Sequence, residues 1–316
     1  MKVYTPNYRS HAGKWIYTGF RSAWNELGYD VEGFGPDPGR TETETHRLIA
    51  DITYPKLEEA EGTIIMTTDG CIGPMHLARI SKSHKTFVYA QPNKFPQPWG
   101  SHPNFSCLSP PEVIDALNSM DNVYLWNFMD DTSYHAHWKE VHTLPLAYDS
   151  LNYAPVENDA FKEIDICFVG GWANNGFDEK RRIMMKVFGA FMKSDLKCGF
   201  FIEKNLSHEQ ECALLYNSKV SLNLHDAYQR KLGLDTNERT FKSLGLNGIL
   251  VSDSVGQLNR LFPDLHTSLE PEELVQITKD YLSLTEQELN DIKNKNRQDI
   301  LNNHTYIHRI EEMLKL

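Results

Sequence analysis

The sequence predicts an α/β fold of two Rossmann-like domains facing a central cleft, and three observations carry that expectation. At 316 residues the chain is long enough for two domains of ordinary size, each with its own core. Short apolar runs alternate with stretches of helical spacing in both halves, as strand–helix–strand units on a parallel sheet require. A polar, Pro-containing stretch that follows Leu144-Pro-Leu-Ala-Tyr-Asp149 and runs through Glu163 reads as a linker between the halves.

Composition narrows the class. With 40% hydrophobic and 24% charged residues the chain reads as a soluble globular protein rather than a disordered or membrane one. No apolar run approaches membrane-spanning length, and Met1-Lys-Val-Tyr-Thr-Pro6 opens as a strand rather than a signal peptide, so a cytoplasmic location is expected. Five cysteines, widely spaced and without a C-x-x-C pair, signal neither a disulfide framework nor a zinc site. The acceptor motifs at Asn104, Asn205 and Asn303 are expected to stay unglycosylated without a secretory signal. Formal net charge is -11, and both halves share the acidic excess. Gripping a nucleic-acid backbone calls for positive charge, so duplex DNA is a poor acceptor, with a local basic patch left open.

In the first half, Lys2 to Tyr4 is a strand, Asn7 to Lys14 a polar loop, and Ile16, Phe20, Ala23, Trp24 and Leu27 form one face of a helix closed by Gly28. Tyr29 to Phe34 is the next strand. The first loop of such a unit opens on a cleft, which makes Arg9, His11 and Lys14 candidates for acceptor or phosphate contacts; a solvated surface loop is the other reading. Thr63 to Thr67 is a buried strand ending at Thr68-Asp69-Gly70. A carboxylate at the carboxyl end of a parallel strand suits a general base, so Asp69 is the first candidate, although Asp before Gly is equally a turn former. The Pro- and aromatic-rich loop Gln91 to Pro111 carries Phe95, Trp99 and Phe105, flat faces on which a sugar can stack, and Trp99 is assigned to the acceptor. Asp130, Asp131, His135, His137 and His142 cluster without the spacing of a metal motif, so no metal site is assigned.

The second half opens with the strand Ile164 to Val169 and the loop Gly170-Gly171-Trp172, where glycines let a backbone approach a pyrophosphate. Lys180, Arg181 and Arg182 in the following helix read most simply as a solvated face. Lys204 lies just beyond the strand Cys198 to Ile202, within reach of a donor, and Ser207 to Gln210 has capping-box spacing. Val220 to Leu224 is a strand with Asn223 and His225 at its end, both assigned to the donor; Asp226 to Asp235 reads as a polar loop in which Arg230 and Lys231 fold over a diphosphate. Helices are expected over Pro271 to Leu282, Thr285 to Asn302 and Tyr306 to Leu316.

The most informative stretch is Thr236 to Gly248. Thr236 and Asn237 are both N-cap residues, and Glu238 in the first turn suits the positive end of the helix dipole. Helix N-termini at the carboxyl ends of parallel strands receive phosphate. Glu238 is therefore assigned to ribose or sugar hydroxyls, and Arg239, Thr240, Lys242 and the helix amides to the phosphates or to holding Glu238. A capped helix with an exposed Glu238–Lys242 pair is the plainer alternative.

Asn237-Glu-Arg-Thr-Phe241 followed by Gly248 to Ser252, the upstream Asp165-Ile-Cys-Phe-Val-Gly-Gly171 and the downstream His304-Thr-Tyr-Ile-His-Arg309 resemble, in order, the donor half of group-1 glycosyltransferases of the CgeB-like, spore-maturation-protein branch. The resemblance implies the GT-B architecture: an acceptor domain over 1–146, a nucleotide-sugar domain over 147–303 and a last helix, 304–316, crossing back to the first. It implies transfer of a sugar from a nucleotide diphosphate sugar, UDP-sugar being favoured, with no cofactor, no protein-held metal and a lean to retention. If the sugar inverts, Asp69 and then His11 are the candidate bases. One position departs: a Glu usually follows the Phe of this helix and holds the donor ribose, whereas this chain has Lys242. A catalytically silent binding protein, and a transferase acting on modified bases in DNA, are the alternatives. The sugar, the nucleotide and the acceptor are not readable.

Overall fold

The computed structural model describes residues 1–6, 11–34, 63–68, 74–90, 92, 96–97, 110–171, 179–203 and 206–316. It divides into two compact units, Met1–Pro145 with Tyr306–Leu316, and Leu146–Thr305.

The first unit contains β1 (Lys2–Pro6), α1 (His11–Glu26), β2 (Asp30–Phe34), β3 (Ile64–Thr68), α2 (Pro74–Ile80), β4 (Lys85–Tyr89), α3 (Pro111–Asn118), β5 (Val123–Asn127) and β6 (Val141–Thr143). Its strands are all parallel, in the order β2-β1-β3-β4-β5-β6. Burial on both faces explains the unbroken apolar run of β3, every residue of which is buried. Tyr4, Ile65 and Val88 of the sheet pack with Leu77, Ile80, Val113, Ile114 and Leu117 of α2 and α3. Helix α1 begins at His11, earlier than the expected loop allowed, and buries Ile16, Phe20, Ala23 and Trp24 at helical spacing. The polar turn before β6 is held by its own side chains: Asp131 accepts from the Ser133 amide at 2.8 Å, and the buried His135 donates from Nε2 to the Ala90 carbonyl at 3.1 Å.

The chain leaves this unit after Pro145 and re-enters it as α11 (Tyr306–Leu314, numbered after the helices below). Gly19 leaves room for the Tyr306 ring, which lies 4.7 Å from Phe20 between centroids. Arg309, 3% exposed, donates from Nε to the Pro145 carbonyl at 2.7 Å.

The second unit contains β7 (Ile166–Gly170), α4 (Glu179–Met192), β8 (Cys198–Ile202), α5 (His208–Asn217), β9 (Val220–Asn223), α6 (Ala227–Leu232), α7 (Glu238–Leu246), β10 (Leu250–Ser252), α8 (Gly256–Leu261), α9 (Pro271–Leu282) and α10 (Glu286–Asn303). Its parallel sheet runs β10-β9-β7-β8. Phe168, Leu222 and Val251 pack against Met184, Phe188 and Phe191 of α4 and Leu274 of α9. Ser207 and Thr285 close capping boxes with Gln210 and Glu288. Thr285→Ala is expected to cost about 1 kcal/mol in chemical denaturation, because it strands a first-turn amide of α10.

Two expectations change here. Residues 226–235 are not a loop throughout: α6 forms with the Gln229 side chain accepting from the Asp226 amide at 3.0 Å. Lys180 is not solvated; it is 8% exposed and pairs with Asp226 at 2.8 Å.

Candidate functional site

The carboxyl ends of β7, β9 and β10 and the N-terminus of α7 bring a polar cluster together in the second unit. Asn237 is the N-cap of α7, its side chain accepting from the Thr240 amide at 3.3 Å. Among the described residues the amides of Glu238 and Arg239 find no protein partner, as the first turn of a helix leaves them.

Arg239 is the hub. Its Nε donates to the Val169 carbonyl at 2.7 Å, and Nη1 donates to Asn223 Oδ1 at 3.1 Å and to the Leu224 carbonyl at 3.3 Å. The guanidinium lies over the Phe168 ring, 4.6 Å from its centroid. Its Nη2 sits against Gly170, where any Cβ would collide with it, and has no hydrogen-bond partner among the described residues. Gly170 therefore makes room for an arginine, where the sequence suggested room for a pyrophosphate. Gly171 is exposed, and a Cβ there would meet nothing. Burial pulls the Arg239 pKa down, with Glu238, Asp226, Glu211 and Asp253 acting in the opposite sense.

Glu238 and Lys242, one turn apart, lie 3.8 Å from each other. The shorter contact of Lys242 is to Glu211 of α5, at 2.6 Å, and its ammonium also lies over the Tyr153 ring at 5.0 Å. Burial alone would lower the Lys242 pKa, but the two flanking carboxylates outweigh it and the ammonium is held charged. Lys242 is thus committed to its neighbours. The Glu238 carboxylate, with its side chain 19% exposed and no closer partner than Lys242, keeps most of its accepting capacity.

Behind Arg239 the polar groups are closed off. Asn223, His225, Thr236 and Thr240 are 0% exposed and Asp253 is 1% exposed. Asn223 Nδ2 donates to Thr240 Oγ1 at 2.9 Å, the Thr236 and Thr240 hydroxyls are 2.6 Å apart, and His225 Nε2 lies 2.8 Å from Thr236 Oγ1. His225 Nδ1 is 2.6 Å from Asp253 Oδ1, and the Asp253 carboxylate also accepts from the His225 amide. Burial would raise the Asp253 pKa, yet these contacts and Arg230 at 3.6 Å bring it below the usual carboxylate range.

The sequence candidates therefore separate. Gly170 lies against Arg239, Gly171 beside it is exposed, and Glu238 lies next to Lys242. Asn223, His225 and Thr240, expected to contact a donor directly, are buried with their polar atoms engaged by protein groups. Trp172 and Lys204 lie outside the described residues, as do Arg9, Asp69 and Trp99, and the His11 side chain is likewise outside. Lys14 is exposed in the first unit, its ammonium 4.6 Å from the Trp15 ring centroid. Sequence reading missed Glu211, which lies 31 residues from Lys242. Among the described residues no group of three or more His, Cys, Asp or Glu is arranged to hold a metal ion, and no helix is long and apolar enough to cross a membrane.

Residues 172–315 match the model of a family described as glycosyl transferase-like, and this span includes α7 and most of the cluster. No curated protein matches the chain by sequence. Solved structures share its fold over nearly the whole length. One is the Escherichia coli trehalose-6-phosphate protein bound with UDP-2-fluoro glucose, at 10% identity and TM-score 0.63, covering 100% of this chain and 98% of that one. Another is an alpha-glucosyltransferase in complex with UDP and a 13-mer DNA, at 12% identity and TM-score 0.62, covering 100% and 98%. A third is T4 phage BGT in complex with UDP-glucose, at 11% identity and TM-score 0.54, covering 100% of both chains. At such identities the likeness is one of fold: the chain has the α/β fold of two parallel-sheet units found in GT-B glycosyltransferases.

Proposed function

We propose that the protein transfers a sugar from a nucleotide diphosphate sugar, with UDP-sugar the favoured donor, to an acceptor hydroxyl. The observation that carries this reading is the pairing of an unsatisfied guanidinium edge, Arg239 Nη2, with unpaired helix amides at the carboxyl ends of parallel strands. Both are donors placed where a leaving diphosphate gains charge, so they stabilise the transition state more than the ground state. Glu238 accepts from ribose or sugar hydroxyls, and Gly171 leaves open backbone beside the phosphates. Lys242 holds Glu238 and Glu211 rather than substituting for a ribose-binding carboxylate. UDP in several proteins of the same fold supports the donor class.

The finer reading is a retaining transfer without a protein-held metal, by resemblance to the CgeB-like branch; on an inverting course Asp69 or His11 would supply the base. The net charge of -11 favours an acceptor other than duplex DNA.

Titration with a panel of nucleotide sugars, read by thermal shift and by release of nucleoside diphosphate, tests the reading. Stabilisation by one donor with slow hydrolysis is expected; no shift and no release with any donor would leave a silent binding protein as the better account. Glu238→Ala is expected to remove the donor-induced shift while leaving the unliganded melting temperature within a few degrees. An unchanged shift would take Glu238 out of the site.

A further inference from the structure

We infer that His225 and Asp253 are positioning residues: through a one-way chain of buried hydrogen bonds they orient Arg239 for its anionic ligand. The inference rests on the donor reading above and adds residues that never touch the donor.

The direction of the chain follows from its two ends. Arg239 can only donate and an ionised Asp253 can only accept. Arg239 Nη1 occupies Asn223 Oδ1, so the Asn223 amide nitrogen faces Thr240 and gives it a proton. At the other end, the contact with the Asp253 carboxylate needs the proton of the neutral imidazole on Nδ1, which leaves Nε2 with a lone pair that accepts from Thr236. Thr236 spends its single hydroxyl hydrogen there, so its contact with Thr240 takes the hydrogen of Thr240. A second contact points the same way: Asn223 Nδ2 lies 3.4 Å from Nε2, where another donor would be repelled.

The four intermediate side chains, Asn223, Thr240, Thr236 and His225, are 0% exposed and Asp253 is 1% exposed, so none of them has an alternative partner in water. The chain joins the ends of β9 and β10 to the first turn of α7, and Arg239 extends it to the end of β7 through the Val169 carbonyl. Turning the chain round would set the Asn223 amide nitrogen against the guanidinium. Cutting it would free Asn223 to rotate and remove the nearer of the two acceptors of Nη1, loosening the direction in which Nη2 points.

Thr240→Val removes the middle hydroxyl at nearly constant shape, and Thr240→Ser restores it. By calorimetric titration with UDP, Thr240→Val is expected to weaken binding about tenfold, Thr240→Ser to stay within about threefold of the unaltered protein, and Thr240→Val to change affinity less than twofold when added to Arg239→Ala. Nitrogen-15 NMR of histidine-labelled protein should show His225 protonated at Nδ1 and bare at Nε2. A proton on Nε2, equal UDP affinity in Thr240→Val and the unaltered protein, or an undiminished effect in the Arg239→Ala background overturns the inference alone. Failure of the unaltered protein to bind UDP overturns the sugar-transfer reading together with it.

Discussion

Arg239→Ala is expected to lower sugar transfer by about 100- to 1,000-fold, the loss typical of removing one preorganised donor from a developing negative charge. The expectation rests on where the guanidinium is held. Three of its hydrogen bonds go to Val169, Asn223 and Leu224, and the Phe168 ring supports its face, so its orientation does not have to be found anew in each turnover. Arg239→Lys should recover little, because one ammonium cannot reach carbonyls on two strands and still present a donor beside Gly170. Steady-state turnover with the donor found by the panel, checked by far-UV circular dichroism, measures the effect. Activity within about threefold of the unaltered enzyme would show that the phosphates lie elsewhere.

Gly248→Ala is expected to cost about 3 kcal/mol, combining a left-handed backbone conformation with a collision that repacking cannot relieve. Gly248 has φ +87°, and a Cβ there would meet the Lys293 carbonyl oxygen and come within 2.6 Å of its Cα. The obstruction is backbone on both sides, because α10 is seated on the end of α7: Asn296 donates to the Gly248 carbonyl at 2.8 Å and Lys293 to the Ser218 carbonyl at 3.0 Å. A melting temperature lower by roughly 6–12 °C is the expected calorimetric result for a unit of this size. A shift under two degrees would mean that α10 gives way without penalty.

The fold was legible because its signals are local. Buried parallel strands such as β3 and β7 are short apolar runs, and α7 announces its start through Asn237 and Glu238 within two residues. Short helices were not legible: α6 spans six residues, too few to show a period against a polar background. The site was legible only in its helical turn. The Glu211–Lys242 pair, the Gly170–Arg239 fit and the buried run from Asn223 to Asp253 join residues far apart in the chain, and periodicity carries no record of such partners. Asn223 and His225 drew notice as polar residues at a strand end, a pattern that does not distinguish a ligand contact from its support.

Tyr306 and Arg309 belong to α11 yet complete the packing of α1 and of Pro145, residues that precede the whole second unit in sequence. During synthesis the first unit must wait, its Gly19–Phe20 surface uncovered, until Tyr306 has been translated, whereas Leu146–Thr305 of the second unit are all made earlier. A stop codon at Tyr306 would accordingly injure the unit translated first.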